Sequence, residues 1–79
     1  MPVMDIIADA AQEEHLVKIR YRKPTGEMKN YTCEPYSVRN GAVYMFDVSE
    51  GHIKRFTISR ILNVEELDQE FDPRWEVEF

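Results

Sequence analysis

Apolar residues recur at a helical spacing only at the start of this chain, and at a spacing of two almost everywhere after it. Met4, Ile7, Ala8 and Ala11 stand at i, i+3, i+4 and i+7, and Val3, Ile6 and Ala10 widen the stripe. Asp5, Asp9 and Glu13 take the opposite side, so the spacing predicts a helix over residues 3–14. From Leu16 to Arg22 the period becomes two, with Val17, Ile19 and Tyr21 inward and Lys18, Arg20 and Arg22 outward, which predicts a strand. Lys23-Pro24-Thr25-Gly26-Glu27 has the composition of a turn. A second strand is expected around Lys29 to Glu34, ended by Pro35, which lacks an amide donor. Asn40-Gly41 is a hairpin signal between Tyr36-Ser37-Val38 and the run Ala42 to Phe46. Val48 to Gly51 turns the chain again into a strand over residues 53–60, with Phe56 and Ile58 on one face and Arg55, Thr57 and Ser59 on the other. The alternation breaks at Arg60-Ile61, so this strand bends or ends there. Leu67 and Phe71 then either cap an open end or enter a final strand. After Asp72-Pro73, Trp75, Val77 and Phe79 alternate with Glu76 and Glu78, a pattern that asks for a strand partner in this chain or in another.

Seventy-nine residues make one domain, near the lower size at which a single core sustains folding. A helix with an apolar stripe then has only a sheet to pack on. Short strands joined by tight turns point to an antiparallel meander, curled into a barrel that limits its exposed edges. The expectation is a mainly β domain over residues 1–79, with a helix at 3–14, a small five-stranded antiparallel barrel at 16–71 and a tail at 72–79. No apolar run approaches the roughly 20 residues that cross a bilayer, and Met1 to Asp5 carries an acid and no basic segment of the signal-peptide kind. A soluble, cytoplasmic protein without a membrane partner is expected.

Charge is distributed unevenly. Residues 1–14 hold four acids and no base, residues 15–60 nine bases against four acids, and residues 61–79 seven acids against one base. The net charge is −5, yet the middle is basic, and beyond roughly 10 Å charges are largely screened. A ligand therefore responds to the segment it touches. Lys54, Arg55 and Arg60, beside the hydroxyls of Thr57 and Ser59, form the best candidate for an anion-contacting surface. The competing account has Lys54 and Arg55 lining the wet face of a strand and Arg60 bonding carbonyls at the bend.

The order of a helix, Ile19-Arg20-Tyr21-Arg22, Gly26-Glu27, Glu34-Pro35-Tyr36, Gly41 to Tyr44-Met45, and Lys54-Arg55-Phe56-Thr57-Ile58-Ser59-Arg60-Ile61 running on to Val64 and Leu67 resembles the WYL domain family over residues 3–71. The family's Trp-Tyr-Leu tripeptide falls on Val43-Tyr44-Met45, where only the tyrosine is kept. The resemblance implies an Sm-like barrel of the Src-homology-3 type that senses a ligand, often nucleic acid or a nucleotide, in bacterial transcription regulators and phage-defence systems. It implies a ligand surface that includes Tyr44, Arg55 and Arg60. Larger members carry a winged helix-turn-helix before the domain and an extension after it, for which 79 residues leave no room, so a sensor or accessory role fits better than promoter reading.

Catalytic chemistry has little support in the residues. Cys33 paired with His15 or His52 lacks a third, orienting group, and Cys33 lies in an alternating apolar strand where a small buried residue is expected. The two histidines and the acid clusters lack metal-ligand spacing, and Gly26, Gly41 and Gly51 are isolated in turns rather than forming a phosphate loop. Neither an enzyme nor a metal or cofactor is expected. Two functions remain. In one, Tyr44, Arg55, Arg60 and Lys54 engage single-stranded nucleic acid or a nucleotide-type anion, with Tyr44 or Tyr36 stacking on a base. In the other, the barrel edge or the segment from Trp75 to Phe79 pairs with a second copy or a larger protein, without nucleic acid.

Overall fold

The computed structural model describes residues 3–79; Met1 and Pro2, the first residues of the expected domain, lie outside the described range. Helix α1 covers Val3–Glu13 and buries Ile7, Ala10 and Ala11, the centre of the stripe expected from spacing. It ends at Glu14, whose φ of 58° reverses the chain into the first strand. The strands are β1 His15–Arg22, β2 Met28–Arg39, β3 Ala42–Asp47, β4 His52–Thr57 and β5 Ile61–Glu70. All pair antiparallel in the order β4-β3-β2-β1-β5. Asn40 and Gly41, with φ of 51° and 77°, make the β2–β3 turn as their identities require.

β2 departs from the expected pattern. It runs through Pro35 to Arg39 instead of ending at the proline. The β2–β3 register slips between Pro35 and Ser37, from Pro35 opposite Met45 to Ser37 opposite Tyr44, so Tyr36 is the extra residue of a β-bulge. β1 reaches only as far as Cys33 on the other side. Pro35 thus sits beside a bulge and past the last β1–β2 pair, positions where a strand dispenses with an amide.

The expected barrel is an open sheet. β4 stops at Thr57, and a 3₁₀ turn over Ile58–Arg60 carries the chain across to β5, which is the final strand and pairs with β1. No ladder joins β4 to β5 among the described residues. A side chain spans the gap instead: the Tyr21 hydroxyl accepts the Thr57 amide at 3.0 Å. Tyr21 and Tyr31 each meet Phe56 edge-on at 5.1 Å, packing β1 and β2 against β4 within the core. The inner face of the sheet, with Val17, Ile19, Cys33, Val43, Met45, Phe56, Ile61 and Val64, closes on α1 as the main core.

A second cluster lies on the outer face. Tyr36, Phe46 and Phe71 are buried there with Leu16 and Val77 against them. It exists because the chain after β5 folds back across the sheet. The Glu78 amide donates to the Tyr36 carbonyl at 2.7 Å, and Glu78 bridges Ser37 in parallel. The alternating tail therefore finds its partner within the chain, on the part of β2 that β1 leaves uncovered.

Candidate functional site

Cross-strand register sets which side chains share the outer face. Tyr44 lies opposite Ser37 on one side and Arg55 on the other, giving a row Ser37–Tyr44–Arg55 across β2, β3 and β4. Tyr44 is half-buried and Arg55 exposed. Beside this row is a cleft of about 440 Å³. The sheet contributes Tyr36, Ser37, Arg39, Tyr44 and Ile53 to it. Trp75, Glu76 and Glu78 of the tail form the remaining wall.

Parity separates the other residues expected at the site. Lys54 follows Met45 and Phe56 onto the inner side, where its Nζ lies 2.9 Å from Asp47 Oδ2 and 4.9 Å from the centre of the Tyr31 ring. Asp47 is fully buried and also accepts the Ser49 and Glu50 amides at 3.0 and 3.2 Å, tying the β3–β4 turn. Burial works against the Asp47 charge, but Lys54 and these amides outweigh it and hold the carboxyl below its ordinary range. Lys54, partly desolvated, is in turn held above its ordinary value by Asp47. Its charge is committed to the turn. Arg60, at the end of the 3₁₀ turn, points Nη1 toward the Lys23 carbonyl at 3.5 Å, the long limit of a hydrogen bond.

Tyr36 is held from several directions. Its hydroxyl donates to Glu34 Oε1 at 2.6 Å and accepts the Arg74 amide at 2.8 Å, and its ring meets Phe71 and Trp75 edge-on at 5.8 and 5.3 Å. Burial first, then the Glu34 carboxylate, pushes the phenol up to about 12. Tyr36 therefore builds the cleft floor, while Tyr44 is the tyrosine that opens onto it. Buried Glu34 receives Arg74 through two nitrogens, and the Arg74 guanidinium covers the Phe46 ring at 4.1 Å.

Sequence reasoning left out Ser37, Arg39, Glu34, Arg74, Glu76 and Glu78. Their one available signal was joint: an acid and a tyrosine on the wet parity of β2, and a tail alternation that lacked a partner. Cys33 is fully buried, and desolvation raises its thiol well above the ordinary value. Among the described residues, no group of three or more His, Cys, Asp or Glu is placed to hold a metal ion. No helix among them is long and apolar enough to cross a membrane.

The family model for the WYL domain matches residues 2–66, which span α1, all of β1 to β4 and the first half of β5. The chain belongs to the WYL domain family. Comparison with curated proteins finds no match. Among solved structures, the WYL chain is similar to proteasome accessory factor B/C (PafBC) of Arthrobacter aurescens, with a TM-score of 0.82 and 22% identity. The match covers 92% of this chain and 13% of that one, so this WYL domain spans about an eighth of its neighbour's length. At that identity the likeness establishes a shared fold.

Proposed function

We propose that this WYL domain is a non-catalytic, ligand-sensing module of a regulatory system, and that its ligand is a nucleic acid or nucleotide-type anion engaged from the outer face. Membership of the WYL family supports the sensing role. The observation that carries the ligand class is the Ser37–Tyr44–Arg55 row beside the cleft: a hydroxyl, an accessible ring and an uncommitted guanidinium in one line across three strands. A ring that stacks and a planar fork that takes phosphate are the two groups a single-stranded nucleotide needs. Arg39 adds a second guanidinium at the cleft, and Arg60 stands further along at the 3₁₀ turn. Lys54 and Tyr36 serve by building the frame. A free buried thiol at Cys33 suits the reducing cytoplasm. The tail is engaged within its own chain, so the alternative reading, pairing with a second copy or a larger protein, would use the open sheet edges at β4 and β5.

Fluorescence anisotropy with labelled single-stranded DNA and RNA at low salt tests this reading, comparing wild type with the Tyr44→Ala, Arg55→Ala double variant. Binding by wild type that the variant loses is expected, with a log–log salt slope of roughly −2 if three phosphates are contacted. Equal binding by both proteins, or none by either, refutes it.

A further inference from the structure

The cleft carries a feature that an anion site alone does not account for. Two of its wall residues, Glu76 and Glu78, are exposed carboxylates, and neither forms an ion pair among the described residues. They would repel a phosphate placed between them. We infer that this end of the cleft is a nucleobase pocket, selective for a base whose edge presents N–H donors, guanine above all, while the phosphate lies toward Arg39 and Arg55. This inference rests on the nucleotide reading above and names the base that reading leaves open.

The chemistry follows from what each wall offers. Trp75 is 52% exposed although its ring is braced against Tyr36 and Phe46, so one side of the indole is both positioned and free. Tyr44 is the accessible ring of the sheet wall, and Ile53 adds apolar surface. Aromatic and aliphatic walls take the faces of a base whatever its identity. An ionised carboxylate is only an acceptor, so it reads the edge of the base by its donors. Guanine presents a ring N–H and an amino group side by side, to which one carboxylate accepts two parallel hydrogen bonds. Cytosine and adenine offer an amino group beside an acceptor nitrogen. Uracil and thymine offer one N–H flanked by two carbonyls, which oppose the carboxylate. The volume of about 440 Å³ falls within the 300–1,000 Å³ typical of small-ligand sites.

The backbone that carries the two carboxylate side chains is anchored before any ligand arrives. The Glu78 amide is bonded to the Tyr36 carbonyl, and Arg74, two residues before Glu76, is clamped to Glu34.

Trp75 is the single tryptophan of the chain, so a stacked base reports itself by quenching its fluorescence. GMP and UMP are titrated against wild type and the Glu76→Gln, Glu78→Gln double variant. In parallel, labelled thymine strands with and without one guanine are followed by anisotropy. Guanine is expected to bind about tenfold tighter than the pyrimidine, the scale of one good bidentate contact, in at least one format; the format identifies free nucleotide or strand as its source. The double variant should level that ratio, and should fold, since both side chains are exposed. Binding without preference for guanine in both formats overturns the inference and leaves the anion reading standing. So does a preference that the folded double variant retains. Should the variant not fold, the wild-type ratio decides alone. No binding of any nucleotide or strand overturns both readings.

Discussion

Arg74 grips Glu34 through two nitrogens, Nε to Oε1 at 3.2 Å and Nη2 to Oε2 at 3.4 Å, across forty residues of chain. Glu34 is buried and Arg74 about half exposed, so the pair joins a desolvated carboxylate to a rim guanidinium. It is the fastening that holds the tail over the outer face and gives the cleft its second wall.

Replacing Arg74 by alanine should therefore cost stability out of proportion to a surface arginine. Glu34 would keep the Tyr36 hydroxyl as a partner but lose its counter-charge. Solvent screening at Arg74 lowers the cost below that of a fully buried pair, to about 1–3 kcal/mol. Urea unfolding of Arg74→Ala beside Arg39→Ala, an exposed arginine of the same face, checks this: equal midpoints would contradict it.

Truncation after Pro73 should expose Tyr36, Phe46 and Phe71, which the tail now covers. Loss of about 2 kcal/mol in a domain of this size lowers Tm by roughly 10 °C. The mass by light scattering should fall only by the deleted residues, because the tail docks within its own chain. A halving of mass would show that the tail joins copies instead.

Lys54→Met should destabilise the β3–β4 turn by about 2 kcal/mol, since it strips the counter-ion from a buried Asp47, while leaving nucleotide binding unchanged. The pair also sets a pH window. Asp47 lies below its ordinary 3.8, so its share of stability is present above that value and is lost as pH falls through the depressed one. Lys54 lies above 10.5, so its share is present below that value and is lost as pH rises through the raised one. Stability of wild type minus Lys54→Met, measured across pH, should form a plateau between those limits.

His15 supplies a second dependence nearer neutrality. Its Nδ1 lies 2.7 Å from Glu66 Oε2 on β5, and that hydrogen bond, with Glu66, Glu70 and Glu13 charges adding, raises the imidazole above 6.5 against a smaller desolvation effect. The folded state therefore holds the proton more tightly. The stabilisation is fully present below about pH 6.5 and fades as pH rises through the raised value. His15→Gln should abolish this slope in a Tm-against-pH curve; an unchanged slope would assign it to other groups.

Much of the fold was legible from side-chain period and turn chemistry. The switch from a spacing of i, i+3, i+4 to a spacing of two places the end of α1 and the start of β1 within a residue of where they stand. Asn40-Gly41 dictates its hairpin through positive φ, and Val17, Ile19, Tyr21 and Phe56 face inward as their alternation requires. These are local properties, determined by which dihedrals and faces each residue tolerates. Alternation groups Tyr44 with Ala42 and Phe46, and Arg55 with Thr57, but leaves open whether Tyr44 faces ligand or core. It did not carry the adjacency of Tyr44 and Arg55, which depends on the register of β3 against β4. What only the tertiary structure decided is non-local. Pro35 reads as a strand end from its missing amide, but the β1–β2 pairing ends before it and the bulge at Tyr36 removes the need for a donor. Lys54 reads as part of a basic patch, but buried Asp47 takes its charge on the inner face. The sheet reads as a closed barrel, but a 3₁₀ turn carries β5 to β1, and only the Tyr21 hydroxyl spans the seam to the Thr57 amide among the described residues. Glu34, Arg74 and Trp75 meet only because the tail returns to an edge left free by a shorter neighbour, and no spacing along the chain records which edge that will be.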